Sequence, residues 1–373
     1  MLHRTTAAVI GRFQLPHLAH LRLLQAALGL ADQVVIVIGS AWRSRNPKNP
    51  FVFEERRAML LAMLTPAQRA RVHVVGVRDV HDAARWVAMV RARVQAFCAP
   101  GEPVTLVGHR KDASSGYLRY FAGWAGVDAG SVPDLDSTAL RALLFGSGRP
   151  LEDRLQELAP HVHGAVLQYL AGWAVQSGHF AERVDEHRAN AAYQRRYPGP
   201  LYRTGDAIVE AAGHFLVIER GGALGRGTCA FPGGHQEAGE SGLETALREL
   251  DEETTLGVPR ERLLAALVGT RTFDAPDRSP RGRIVTTACH FRLAGFTPAT
   301  LPAVHGRDDA KNQPALWLDQ GGLEAVMHRF FDDHDALAEF AAGPLQPLVE
   351  RQAMAAAAAH GPQSRVPTRP GEP

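Results

Sequence analysis

Residues 7–20 read Ala-Ala-Val-Ile-Gly-Arg-Phe-Gln-Leu-Pro-His-Leu-Ala-His, and this stretch decides the fold. Its first five residues are an apolar run ending in glycine, the pattern of a strand covered on both faces. Pro16 suits a helix entrance, and Leu18, Leu21, Leu24 and Leu28 then follow at helical spacing. Working outward, Gln33–Gly39 (QVVIVIG) is a second buried strand. A helix at 53–64, a strand at 71–77, a helix at 83–97 and a strand at 104–108 complete the alternation. Strand, helix, strand, helix in short order predicts a parallel sheet with helices on both faces. In such sheets ligands bind beyond the carboxyl ends of the strands, so the chemistry belongs just after each strand.

The chain has 373 residues and a formal charge of +2, with 21 % charged and 45 % hydrophobic residues. That length and apolar content predict two domains with a core each. No run approaches a membrane span, and strand-like sequence starts so near the first residue that no cleaved signal is expected. Cys98, Cys229 and Cys289 lie far apart with no paired spacing, which argues against disulfides or a cysteine-held zinc and for a reducing cytoplasm. The balanced charge gives no case for nucleic acid.

Past residue 203 the pattern changes. The expected layout is a first domain over 1–185, a polar connection over 186–203 with Pro198-Gly199-Pro200, a second domain over 204–345, and a frayed helix and disordered tail over 346–373. The second domain mixes short strands (206–210, 215–220, 283–293) with one clear helix at 243–253.

That helix follows Gly234-His-Gln-Glu-Ala-Gly-Glu240 and carries Arg248-Glu249-Leu250-Asp251-Glu252-Glu253. Glu249, Glu252 and Glu253 stand at i, i+3 and i+4, which puts three like charges on one face within a turn. They repel one another unless a cation lies among them, and oxygen-only ligands suit a hard ion such as Mg²⁺ or Mn²⁺. Arg248 can hold Glu252, and Gly234 lets backbone approach the ion. An acidic solvated face is the alternative for any isolated pair, but six fixed positions match by chance on the order of once in ten thousand. Here the sequence resembles the Nudix hydrolases, through Gly234, Glu240, Arg248, Glu249, Leu250, Glu252, Glu253 and Leu256. The resemblance implies that the three glutamates are metal ligands and catalytic, polarising a diphosphate for attack by water. Thr255 stands where the family has a helix-ending glycine, so strain and a local stability cost are expected there, with Gly257 taking over the turn. The loop Phe273–Arg283, with Arg281 and Arg283, looks like that of Nudix enzymes acting on ADP-ribose, and Asp308-Asp309 resembles a late acidic loop of that subgroup.

At the first strand end, His17 and His20 share a face where helix amides already favour an anion, with Arg12 nearby. Together they read as a polyphosphate cradle. Further polar groups follow other strands: Lys48-Asn49, Gly108-His-Arg-Lys111-Asp112, and Asp136-Ser137-Thr138 with Arg141 one turn in. This constellation resembles the nucleotidyltransferase superfamily, and within it the nicotinamide mononucleotide adenylyltransferases, through Gly11-Arg12-Phe13-Gln14, Lys48-Asn49-Pro-Phe51 and Gly108-His-x-Lys111-Asp112. Ala19 replaces a signature glycine, and 136–138 match the second motif loosely. The order of the halves is similar to that of bacterial proteins joining this enzyme to a Nudix domain.

The implied fold class is α/β: an N-terminal Rossmann-like nucleotidyltransferase domain with a parallel sheet, then a C-terminal mixed α/β Nudix domain. The implied activities are adenylyl transfer from ATP to nicotinamide mononucleotide and Mg²⁺-dependent hydrolysis of ADP-ribose. His17, His20 and Arg141 are assigned to the triphosphate as catalytic residues. Gly11, Arg12, Phe13, Lys48, Asn49, Lys111, Asp112, Ser137, Thr138, Gly234, Arg248, Arg281, Arg283 and Asp309 are assigned to substrate binding. Two alternatives are a nucleotide-sensing regulator with a non-hydrolytic Nudix-like domain, and an adenylyltransferase for another phosphate such as a pantetheine derivative. Self-association is left open, and neither membrane nor nucleic acid is expected as a partner.

Overall fold

The computed structural model of the protein describes residues 5–80, 82–109, 119–130, 135–146, 148–310 and 314–359. Five parallel strands form the first sheet: β1 (Thr6–Gly11), β2 (Gln33–Ile38), β3 (Val72–Gly76), β4 (Val104–Gly108) and β5 (Ala125–Asp128), in the order β3-β2-β1-β4-β5. Alternation along β1 and β2 sorts their side chains to two faces. Val9, Ile36 and Ile38 join Leu24 and Met59 in one core cluster. Ala8, Ile10, Val35 and Val37 join Val90 and Val94 in the other. The sheet is therefore covered on both sides, as its β-branched runs require. Strand β5 was not legible because its four residues, AGVD, carry no apolar run and lie at an exposed edge.

Strand β1 sits between β2 and β4, so the chain leaves its carboxyl end at a reversal of strand order. This is where an open α/β sheet has its ligand crevice. The first sheet is followed by Ser137–Arg141 and by helices at Leu151–Leu158, Gly164–Gln176 and His179–Arg196. The last of these occupies much of the expected connection over 186–203: Glu186 and Asn190 on it are buried, so that segment is packed rather than a polar tether.

The second sheet is mixed. Strands β6 (Tyr202–Ala211), β7 (His214–Glu219), β10 (Leu267–Phe273), β11 (Ile284–Leu293) and β12 (Ala315–Leu318) run in the order β10-β11-β6-β7-β12, with β8 (Cys229–Ala230) on β7 and β9 (Gly233–His235) on β6. Among the described residues, only the β6–β11 pair of these strands is parallel. Helix Gly242–Glu253 packs on this sheet through Ala246, Leu247 and Leu250. A Cβ on Gly205 would stand 2.4 Å from the Gly242 carbonyl oxygen, so only glycine allows so close an approach. A capping box opens the helix: Glu244 N–H donates to Ser241 Oγ at 3.2 Å and Ser241 N–H to Glu244 Oε2 at 2.7 Å.

One expectation is corrected here. Thr255 is not in the left-handed region; that conformation falls on Gly257, with φ 65°. Thr255 instead pairs with His305, its N–H donating to the His305 carbonyl at 3.1 Å and its Oγ1 accepting from His305 N–H at 2.8 Å. The anticipated strain is absent because the chain leaves the helix in extended backbone at Thr254. The helix expected at the start of the tail is present and docked. Leu348–Ala359 is helical, and its buried Glu350 accepts from Arg93 Nη2 of the first domain at 2.7 Å. Residues 360–373, expected to be disordered, lie outside the described residues. No helix among the described residues is long and apolar enough to cross a membrane.

Candidate active sites

In the first domain, the loop leaving β1 is fixed by four outside groups. Gln14 Nε2 donates to the Phe51 carbonyl at 2.8 Å and Gln14 Oε1 accepts from Phe51 N–H at 3.1 Å. Arg141 Nη1 donates to the Gln14 carbonyl, and Ser137 Oγ donates to the Leu15 carbonyl at 3.4 Å. Arg56, 1 % exposed, donates Nη1 to the Arg12 carbonyl at 2.7 Å and to the Gly39 carbonyl at 2.8 Å, and Nη2 to the Ser40 carbonyl at 3.0 Å. One buried guanidinium thus ties the ends of β1 and β2 together. Burial lowers Arg56 to about 9 and Arg141 to about 10.

The two histidines meet as the spacing predicts. Their rings stack with centroids 3.8 Å apart, and Phe13 packs edge-on against His20 at 4.9 Å. Gly11 makes room for this: a Cβ there would lie 2.9 Å from the Phe13 ring. His17 N–H donates to His20 Nδ1 at 3.2 Å, which leaves the ring proton of neutral His20 on Nε2. Burial, with His17 and His109 adding, pushes His20 well below its ordinary range. His20 is therefore a neutral donor.

Ser137 and Thr138 were expected to hold phosphate, yet their hydroxyls are engaged inside the protein. Thr138 Oγ1 accepts from Arg141 Nη2 at 3.1 Å, and Asp136 caps the turn by accepting from Thr138 N–H at 3.1 Å. The second motif braces the first as well as facing it. Lys111 and Asp112 lie outside the described residues. His109 is not among the residues assigned from the sequence. It lies close enough to depress His20, and both its ring nitrogens are buried without a hydrogen bond among the described residues. Its position directly after β4 was the available signal.

Beyond β1 and β2 opens a cavity of about 600 Å³ lined by Gly11, Arg12, Gly39, Lys48, Asn49 and Trp86 on the first-domain side. Asn49 is 6 % exposed and its Oδ1 has no hydrogen-bond partner among the described residues. A buried acceptor at a cavity wall is what a polar ligand satisfies.

In the second domain the acidic helix meets β9. Arg248 is the organising group: Nε donates to Glu240 Oε1 at 2.8 Å, Nη1 to Glu249 Oε1 at 2.8 Å and to Glu252 Oε2 at 2.9 Å, and Nη2 to the His235 carbonyl at 2.8 Å. Glu240 is held down to about 2, chiefly by its bond from Arg248. Glu253 is buried and accepts from Gly233 N–H at 2.9 Å. Gly234 lies so close to Glu249 that a Cβ would fall 2.2 Å from Oε1. Burial raises Glu249, and Glu252 and Asp206 add to the rise against the pull of Arg248.

Among the described residues no three His, Cys, Asp or Glu side chains stand in a metal-holding group. Glu249 and Glu252 turn to Arg248, while Glu253 turns to the Gly233 amide. The donors nonetheless fit a hard divalent cation. All are carboxylate oxygens, the backbone beside them is glycine, and the mutual repulsion at Glu249 is of the kind a cation relieves. Asp206 belongs to this cluster and was not anticipated. It accepts from Thr286 Oγ1 on β11 and faces His334 at 3.8 Å. It stands on β6, where only strand pairing brings it to the helix.

Arg281 donates to Asp332 Oδ2 at 3.2 Å and lies over the Tyr193 ring at 5.4 Å, and Tyr193 Oη lies 2.6 Å from His235 Nε2. The loop arginine is thereby brought beside β9. Arg283 instead turns back, donating to the Asp274 carbonyl. Asp309 lies in the turn Asp308–Ala310, next to Arg307, whose N–H donates to the Glu253 carbonyl at 2.8 Å.

Comparison with known proteins bears on both halves. Residues 8–99 match the cytidylyltransferase-like family model and residues 202–348 the NUDIX domain model. The chain is 40 % identical over 149 residues to the nicotinamide/nicotinic acid mononucleotide adenylyltransferase of Acinetobacter baylyi, covering 40 % of this chain and 79 % of that one. The chain belongs to the mononucleotide adenylyltransferase family. It carries a C-terminal NUDIX domain in addition. It is 37 % identical over 89 residues to the nicotinamide-nucleotide adenylyltransferase of Pyrococcus abyssi, 24 % of this chain and about half (48 %) of that relative. A crystal structure of the bifunctional NMN adenylyltransferase/ADP-ribose pyrophosphatase of Francisella tularensis, complexed with AMP and a manganese ion, aligns with TM-score 0.78 at 27 % identity. That alignment covers 90 % of this chain and 98 % of that one.

Proposed function

We propose that this adenylyltransferase family member joins ATP and nicotinamide mononucleotide into NAD and pyrophosphate in its first domain, and hydrolyses ADP-ribose to AMP and ribose 5-phosphate in its NUDIX domain. The observation that carries the reading is the union of both adenylyltransferase motifs, Arg141 and Ser137 bonding the carbonyls of Gln14 and Leu15, in a chain that aligns along most of its length with a bifunctional enzyme.

Adenylyl transfer asks little covalent help of a protein. An oxygen of the mononucleotide 5′-phosphate bonds to the α-phosphorus of ATP as the bond to the β-phosphate oxygen breaks. Positioning and charge stabilisation do the rest. The Nε2–H of His20 donates to a triphosphate oxygen, His17 and the helix amides border the same site, and Arg12 and Lys48 receive the mononucleotide phosphate. Lys111 and Asp112 complete the substrate contacts assigned from their motif. Arg141 holds the loop that carries the histidines.

In the NUDIX domain Glu249, Glu252 and Glu253 would hold Mg²⁺ or Mn²⁺. Such an ion, when bound, lowers the proton affinity of water and polarises a phosphoryl oxygen. Arg248 keeps Glu249 and Glu252 oriented, and Arg281 and Asp309 border the ADP-ribose subsite, with Arg283 shaping its loop.

The test is a substrate panel on the full chain. ATP with nicotinamide mononucleotide gives NAD and pyrophosphate, and ADP-ribose with a divalent cation gives AMP. Pyrophosphate release with a phosphopantetheine in place of the mononucleotide, and none with the mononucleotide, overturns the first half. ADP-ribose binding without AMP release overturns the second.

A further inference from the structure

The cavity beyond β1 and β2 is not closed by the first domain. Its outer wall is the NUDIX domain: Ala275, Asp277, Arg278 and Pro280 from the loop between β10 and β11, and Asp333 and Ala336 from the segment opening helix His334–Ala342. We infer that this NUDIX wall completes the mononucleotide pocket of the adenylyltransferase, with the Asp277 backbone positioning Lys48 for the mononucleotide phosphate. The inference rests on the adenylyl-transfer reading above and extends it to residues of the other domain.

Charge accounting supports the assignment. Arg43 lies between Asp79 at 3.5 Å and Asp335 at 3.4 Å, one carboxylate from each domain. Arg278 is paired with Asp333 at 2.6 Å, and Glu339 with Arg78 at 2.8 Å and Arg85 at 3.1 Å. These pairs weld the wall in place and cancel within it. Among the described residues, Arg12 and Lys48 have no carboxylate in salt-bridge contact, and the Asp277 carboxylate on the same cavity acts on Lys48 from beyond that range. Two cations facing one cavity match a phosphate monoester dianion. Lys48 Nζ donates to the Asp277 carbonyl at 2.8 Å, so a NUDIX backbone atom sets where that ammonium points. The unpartnered Oδ1 of Asn49 supplies an acceptor on the same cavity.

The experiment places bulk on the wall without touching the first domain. Ala275 lines the cavity and is only partly buried. In the full chain, Ala275→Trp should raise KM for nicotinamide mononucleotide about tenfold with KM for ATP and kcat little changed, whereas Ala275→Ser should match wild type. Ala275→Gln, with a shorter side chain, carries the same test if the indole unfolds the loop. An unaltered mononucleotide KM in folded Trp and Gln variants overturns the inference. So does a parallel rise in both KM values, which marks general damage. Should wild type itself form no NAD, it is the functional reading that fails.

Discussion

The two candidate sites are built by opposite means. The first is assembled from nitrogen donors whose charge burial suppresses: His20 is neutral, and Arg56 and Arg141 titrate lower than exposed guanidiniums do. The second is assembled from carboxylates, with Arg248 held cationic by Glu240, Glu249 and Glu252. In the first, hydrogen bonds to loop carbonyls fix the shape before any ligand arrives. In the second, three acids share one arginine, and the carboxylate oxygens form a donor set that fits a cation. A site built on fixed donors is preorganised, whereas one built on like charges is poised.

The sharpest way to break this contrast is to disable each site alone. Glu253→Gln should lower ADP-ribose hydrolysis about a thousandfold and leave NAD formation intact, while His20→Ala should lower NAD formation about a hundredfold and spare hydrolysis. Loss of both activities from either substitution in a folded protein would falsify the separation of the sites. Next, Arg56→Met should destabilise the first domain by about 3 kcal/mol, because three loop carbonyls lose their donors in a buried position. Denaturant unfolding measures it, and a change under about 1 kcal/mol would deny Arg56 its role as the tie between strand ends.

A smaller effect lies where the domains meet. Burial pushes Glu186 up to about 7 against the pull of Arg183, and its Oε1 accepts from Gly225 N–H at 3.2 Å. A carboxyl whose folded value is raised favours folding while protonated, and that contribution is lost as pH climbs from about 4.5 through 7. Wild type should therefore lose on the order of 2 kcal/mol relative to Glu186→Gln between pH 5 and pH 8. Parallel stability curves for the two proteins would exclude it. The smallest change is Thr255→Gly, which should cost about 1 kcal/mol through the lost His305 bond and added chain freedom. A gain in melting temperature would restore the idea of strain at that position.

Much of this was legible in the chain. Periodicity gave the strands at 7–11, 33–39, 71–77 and 104–108 because a parallel sheet covered on both faces demands uninterrupted apolar runs. Helical spacing put Glu249, Glu252 and Glu253 within one turn. Arg56 was hidden, although it stands among Phe53, Met59 and Leu60 on the buried face of its helix; an arginine on an apolar stripe marks a buried tether. Asp206, and the carbonyl that holds Lys48, could not be read the same way, since each contact spans 80 residues or more of the chain.

The sequence by itself determined the alternation of elements, the acidic helix and the histidine pair, because each depends on residues within a few turns of one another. Only the tertiary structure decided that His20 is neutral, that the second motif braces the first, and that a NUDIX loop closes the first domain's cavity. Proton affinity and pocket shape depend on which distant groups displace water from a side chain, and no local spacing encodes that.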